Sequence, residues 1–331
     1  MQIFYNYLHK GYNMKKLLLA ILMVPALVLA WEPTKPIKVI VPTAPGAGNE
    51  MAFRAAAAPI ERAGKATFVI ENRAGADGNV GMNQFSEAAA DGYTIAVPAC
   101  QSTFVASDIH YKNIIKFNPM EFTMVTNIGK SPLSFVARKT STVSNFDGLI
   151  SAMQSGRPVV FAVGGAAHRL AVEYIIDKIG ADRKNITIVE YRGPLPAVTD
   201  VAGGHAEFGV MPIAVSNTLM PTGKIKLLAL AGEQTVPAYP QATLAKDAIP
   251  GLNVYGCWNI VLPKGTDPAV QKWYVDTFLP ALRSQEYRKW MDENQVFLDK
   301  NLGPVALKKD MEQLRAQWGP YVRRMPGPDG K

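Results

Sequence analysis

The chain has 331 residues, 48% hydrophobic and 19% charged, which suits two ordinary domains with packed cores and argues against disorder of the whole. A formal charge of +8 favours anionic solutes only mildly. Nucleic acid would require a focused basic stripe with interleaved aromatic residues, and none is visible.

Residues 1–30 read apart from the rest. Met14-Lys15-Lys16 is a basic start, Leu17 to Leu29 is apolar, and Val28-Leu29-Ala30 ends on a small residue, the layout of a secretory signal peptide cleaved after about Ala30. The apolar run is short for a bilayer and contains Pro25, so a transmembrane reading is set aside. Met1 to Asn13 suits neither a signal nor a fold, and translation is expected to start at Met14. No Cys near Ala30 offers a lipid-anchor thiol, so a freely soluble exported protein is expected. Removal of the segment takes Lys10, Lys15 and Lys16 and no acid, lowering the formal charge from +8 to +5.

Beyond Ala30, β-branched runs alternate with helical stretches. The expected strands are Ile37 to Val41, Thr67 to Ile70, Thr94 to Val97, Val159 to Val163, Ile186 to Val189, Phe208 to Val210 and Leu227 to Leu230. The expected helices are Met51 to Ala63, Gly81 to Ala90, Leu170 to Ile179, Pro196 to Ala202, Ala269 to Leu279 and Val305 to Trp318. Such alternation predicts parallel sheets covered on both faces. Pro59 conflicts with the first helix and should kink or interrupt it. Two extended stretches, Leu133 to Ala137 within Ile128 to Ser144, and Tyr255 to Leu262, separate the α/β blocks and predict two lobes on a two-stranded hinge, with a ligand cleft between them.

The first strand breaks into Pro42-Thr43-Ala44-Pro45-Gly46-Ala47-Gly48-Asn49 before a helix opens. Bare backbone at a helix start, outside the carboxyl end of a strand, is a ready receptor for an anion. Similar turns recur at Asn72 to Gly81 and Gly164 to Arg169. A single such loop is ordinary turn chemistry, but several aimed at one cleft are a site.

Catalytic readings mostly fail. Met51 stands where a dinucleotide fingerprint needs its third glycine, and Met124 stands where a phosphate loop ending in Gly129-Lys130-Ser131 needs its first. There is no Gly-x-Ser-x-Gly elbow or His-Glu-x-x-His, and His9, His110, His168 and His205 stand singly, so no metal or cofactor is expected. Cys100 and Cys257 are the only cysteines; an oxidising compartment permits a bridge, but their separation leaves the pairing open.

From about Trp31 to Tyr321 the sequence resembles the periplasmic substrate-binding receptors of tripartite tricarboxylate transporters, the Bug family. The resemblance is carried by Pro36-Ile37-Lys38-Val39-Ile40-Val41-Pro42 with Ala44-Pro45-Gly46-Ala47-Gly48, by Glu71-Asn72-Arg73-Ala74-Gly75 with Gly78-Asn79-Val80-Gly81, and by Ala89-Ala90-Asp91-Gly92-Tyr93-Thr94. Tyr191-Arg192-Gly193 with Pro196-Ala197, Gly203-Gly204, Gly223-Lys224-Ile225-Lys226, and Trp258 with Leu262-Pro263-Lys264-Gly265-Thr266 complete it.

The resemblance implies an α/β periplasmic binding protein of type 2: two α/β lobes forming a Venus flytrap on a two-stranded hinge. Residues 31–130 and 236–331 would form one lobe and 131–235 the other, after the extension and signal peptide of 1–30. It implies capture of a small organic carboxylate by a monomer, delivery to membrane permease subunits, no cofactor and no catalysis; an exported enzyme or a ligand-presenting sensor subunit are the alternatives. Ligand-binding positions carried over are Pro45, Gly46, Ala47, Gly48, Asn49, Asp77, Gly78, Asn79, Gln101, Ser102 and Thr103 in the first lobe. In the second they are Gly164, Gly165, Ala166, Ala167, His168, Arg169, Tyr191 and Met211.

Several positions depart from the family pattern. Asn49 stands where Asp is frequent, Ala166 and Ala167 where Ser or Thr precede a His, Arg169 in place of that His, and Met211 where Asp is usual. A ligand more apolar than, or differently shaped from, a small amino acid or citrate is expected. Arg169 is either a bidentate carboxylate clamp or a solvated residue of a first helical turn. Trp258 and Tyr255 are read as hinge packing, with lining of the cleft as the alternative.

Overall fold

The computed structural model describes residues 31–325 and 327; the expected start at Met14 and the signal peptide lie outside them. Strand β1 (Ile37–Val41) is almost wholly buried, as its unbroken aliphatic run requires of a strand covered on both faces. It runs into the Pro/Gly turn and helix α1 (Gly48–Arg62), which starts earlier than expected because Gly48 and Asn49 already form its first turn. Pro59 does not interrupt α1: it lies in the last turn, where only one hydrogen bond is forfeited and little helix remains to be kinked.

Strand β2 (Phe68–Asn72), a turn at Ala76–Gly78, helix α2 (Asn79–Ser86) and strand β3 (Thr94–Ala96) follow. A π-helical turn, Ser102–Ala106, runs into α3 (Ser107–His110), which the sequence reading had not placed. Strand β4 (Thr123–Arg138) is far longer than the Leu133 to Ala137 run. Its polar first half, Thr123 to Ser131, holds strand conformation through pairing with a distant segment, which local periodicity does not report.

Next come α4 (Phe146–Gln154), β5 (Val159–Val163), α5 (Ala166–Ile179), β6 (Ile186–Glu190), α6 (Pro194–Gly203), β7 (Phe208–Pro212), α7 (Ile213–Ser216), β8 (Ile225–Ala231) and α8 (Ala245–Ala248). Strand β9 (Tyr255–Leu262) and helices α9 (Pro268–Leu282), α10 (Gln285–Asn294) and α11 (Pro304–Val322) complete the chain.

Strands β2, β1 and β3 are parallel, β9 joins antiparallel to β3, and the first half of β4 lies antiparallel on β9. The second half of β4 is flanked by β7 and β8, and β7 leads on to parallel β5 and β6. Strand β4 is therefore the spine shared by two α/β sheets, with β9 alongside it where one gives way to the other. Phe53, Phe68 and Phe278 pack together where α1, β2 and α9 meet, with ring centroids 5.3 to 5.8 Å apart. Phe135, Phe146, Phe161 and Phe208 fill the core of the β5–β7 half, and Trp318 of α11 packs on Tyr174 of α5 at 5.4 Å. This is a two-lobed α/β fold whose parallel strands discharge their carboxyl-end loops toward one crevice.

Candidate functional site

That crevice holds a cavity of about 250 Å³ that is partly open to solvent. Three helix starts reach it without a capping side chain of their own: α1 behind Ala47, α5 behind Gly165 and α6 behind Gly193. The first N–H groups of a helix have no partner within it, so α1 and α5 direct amide donors and the positive ends of their dipoles at the cavity, with the Ala166 N–H of α5 taken by Asp77, whereas Pro194 and Pro196 carry no N–H and α6 contributes chiefly its dipole.

Two glycines make this geometry possible. A Cβ at Gly48 would fall 2.2 Å from Cζ2 of Trp258, so only glycine lets the α1 start lie against the indole. A Cβ at Gly164 would fall 2.3 Å from the carbonyl of Gly193, so the β5–α5 and β6–α6 loops touch through bare backbone. Both residues line the cavity.

The first loop is braced from behind. Glu50 accepts from the Gly46 N–H at 3.0 Å, from Asn72 Nδ2 at 3.0 Å and from Arg54 Nε at 2.8 Å. Burial alone would raise its pKa, but these bonds outweigh it and hold the carboxyl below its ordinary value. Asn49 spends its side chain internally, accepting from Thr43 Oγ1 and donating to the Val97 carbonyl, both at 2.8 Å. Glu50 was not singled out in the sequence, where its one signal is a carboxylate in a first helical turn beside an uncapped start, and Asn72 was named only as part of a recurring turn and of the family pattern.

Cys100 and Cys257 are joined in a disulfide, their Cα atoms 5.5 Å apart, answering the question left open above. The bond ties the loop after β3 to β9, and Gln101 reinforces the tie by donating to the Tyr255 carbonyl at 2.8 Å. Trp258, adjacent to Cys257 and 4% exposed, both packs against Gly48 and Gly129 and lines the cavity, so the two readings of it coincide.

Asp77 sits in a turn where two consecutive non-glycine residues, Ala76 (φ 45°) and Asp77 (φ 55°), hold the left-handed conformation. Its Oδ1 accepts from Ser102 Oγ at 3.0 Å and from the N–H of Ala166, the first residue of α5, at 3.2 Å. Desolvation, with a further push from Glu190, drives the carboxyl up to about 7 against the bonds from Ser102 and Ala166. His168 is buried and its Nδ1 accepts from the Gly164 N–H at 3.2 Å; desolvation takes it down to about 3, so the ring is neutral. Tyr191 donates its hydroxyl to Asp200, and burial with that carboxylate raises it to about 12.

Of the expected positions, Ala47, Gly48, Asn49, Asp77, Gly78, Gln101, Ser102, Thr103, Gly164, Gly165, Ala166, Ala167, His168 and Tyr191 line the cavity. Five do not. Pro45 and Gly46 form the exposed tip of the first turn, whose amide is taken by Glu50. Asn79 is buried with its amide on the Ala76 carbonyl, bracing the strained turn. Met211 is fully buried on β7 among Val136, Ala197 and Val201, so an apolar residue here fills the core and leaves the cavity polarity untouched.

Arg169 fits neither reading given to it. It is buried, its Nε 3.2 Å from Glu190 and 3.8 Å from Glu173, with Nη2 on the Gly327 carbonyl, and it borders a small side cavity next to the main one. Glu190, unremarked in the sequence, lines both cavities; it closes an ordinary strand, and only the fold brings it to Asp77 and Arg169.

Uncapped helix starts converging on a crevice between two α/β sheets define a solute-binding protein of the periplasmic type. The profile described as Tripartite tricarboxylate transporter family receptor matches residues 52–306, and the chain belongs to that family. BugT of Bordetella pertussis is 30% identical over 251 residues, covering 72% of this chain and 73% of that protein. Among solved structures, periplasmic binding protein BugD is 23% identical with a TM-score of 0.81, covering 88% of this chain and 98% of its own. MatC of Rhodopseudomonas palustris, solved with malate, is 21% identical with a TM-score of 0.80 over 88% and 99%. Another R. palustris protein, solved with adipate, is 24% identical with a TM-score of 0.80 over 88% and 96%. These likenesses establish the two-lobed fold.

Proposed function

We propose that this chain is a periplasmic receptor that closes on a small organic carboxylate and hands it to the membrane permease of a tripartite transporter, without making or breaking a bond in it. The observation that carries this reading is the convergence of three uncapped helix starts on one cavity. A carboxylate there collects several N–H bonds and favourable dipole ends at once.

The reading places one lobe at 31–130 with 236–331 and the other at 131–235, turning about β4 and β9. Contacts made by both lobes exist only in the closed form, so ligand shifts the population toward it, and the permease reads the closed outer face. A monomer exported by the signal peptide and cleaved after about Ala30 suits this role. Malate and adipate, seen in two structural neighbours, are natural first probes.

A thermal-shift screen of the mature chain with mono-, di- and tricarboxylates tests the proposal, because a cleft ligand raises the melting temperature by mass action. At least one acid should raise it in a saturable manner. A flat response across the panel would refute the reading.

A further inference from the structure

Asp77 is more than a brace. Its Oδ1 has two donors, whereas its Oδ2 has no hydrogen bond among the described residues, and the carboxyl faces the cavity. The Arg169 guanidinium favours the charged carboxylate only through space, because it is committed to Glu190, Glu173 and a backbone carbonyl, and Glu190 itself lines the same cavity. A desolvated carboxylate beside another acid, with no cation in direct contact, is costly to keep. The turn that presents it is costly too, since two left-handed non-glycine residues in succession are held there by the surrounding structure.

We infer that Asp77 determines specificity, with Oδ2 accepting from a hydroxyl or ammonium group of the bound acid, so that the cavity prefers acids carrying such a donor near the carboxylate over their unsubstituted counterparts. This rests on the organic-acid reading above. The ligand then completes both halves of an electrostatic pattern: its carboxylate takes the amide donors of the helix starts, and its donor takes the acid the protein leaves unsatisfied. The upward displacement of the carboxyl toward neutrality agrees with a group waiting for a partner.

Calorimetric titration of the mature chain with matched probes is the test: succinate against malate and aspartate, glutarate against glutamate, propionate against lactate and alanine. The donor-bearing member of the best-bound set should bind about 10- to 100-fold more tightly, the range a hydrogen bond to a charged group provides. Asp77→Asn, which keeps the shape and tolerates the left-handed backbone, should erase the preference, bringing the donor-bearing acid and its unsubstituted counterpart to equal affinity. Equal affinities within every set, or a preference that survives in D77N with an unchanged melting temperature, would overturn the inference and leave the receptor reading standing. Binding of no acid at all would remove both.

Discussion

Gly48 and Trp258 lie so close that position 48 has no room for a methyl group: its Cβ would stand 2.2 Å from Cζ2 of the indole and 2.7 Å from Cη2. The start of α1 and the hinge-side strand β9 are thereby locked in one arrangement. Neither partner can move away easily, since Trp258 is also pressed against Gly129 and Gly48 begins a helix braced through Glu50.

Gly48→Ala is expected to destabilise the protein by about 1–3 kcal/mol, the usual cost of forcing an extra carbon into a packed interior. Ligand affinity should fall as well, because the displaced atoms carry the α1 amides. Chemical denaturation together with titration checks both; an unchanged midpoint would show that the indole yields freely.

The disulfide makes a second prediction. Replacing Cys100 and Cys257 together with Ser should cost about 2–4 kcal/mol of stability and loosen the loop that bears Gln101, Ser102 and Thr103. Free-thiol counting on the unfolded, unreduced wild type should find none. Two reactive thiols would contradict the pairing.

Arg169→Met is a test of stability first. It removes the cation beside Glu190, which is partly exposed, while Glu173 keeps Arg183 at 3.0 Å, so the expected loss is about 1–3 kcal/mol. The exposed Arg323 should be replaceable by Ala with little change. If Arg169→Met keeps the wild-type melting temperature and loses only ligand affinity, the guanidinium acts on the ligand and the structural assignment is wrong.

His168 and Asp77 should give opposite pH signatures. His168 falls from an ordinary 6.5 to about 3 in the folded chain, so between those values the unfolded chain binds the extra proton and stability declines as pH falls. Asp77 rises from 3.8 to about 7, so in its window the folded chain binds the extra proton and stability declines as pH rises. Relative to wild type, H168Q should therefore gain melting temperature on acidification and D77N should gain it on moving toward neutrality. Parallel pH profiles for both variants and wild type would show that neither ring nor carboxyl titrates abnormally.

Much of this was legible in the sequence because parallel strands buried on both faces announce themselves as unbroken aliphatic runs, as at Ile37 to Val41 and Val159 to Val163. The glycine-rich turns after them mark helix starts, and most of those turns do reach the cavity. What the sequence hid was decided by distant partners. Thr123 to Ser131 is strand only because β9 pairs with it, Met211 faces the core because of where β7 lies, and Arg169 meets Glu190 because β6 pairs with β5, from whose carboxyl end α5 starts. Pro45 and Gly46 read like ligand-facing residues, yet Glu50, a few positions on, turns their amide inward and leaves the tip in solvent.

The claim beneath all of these is that backbone amides at bare helix starts hold the ligand's anionic group. It is tested most directly by a crystal structure of the mature chain grown with the acid that gives the largest thermal shift. A carboxylate oxygen within hydrogen-bond reach, about 2.7–3.2 Å, of amide nitrogens at the starts of α1, α5 or α6 is the predicted result. A ligand held by side-chain cations alone, or seated outside the crevice, would contradict it.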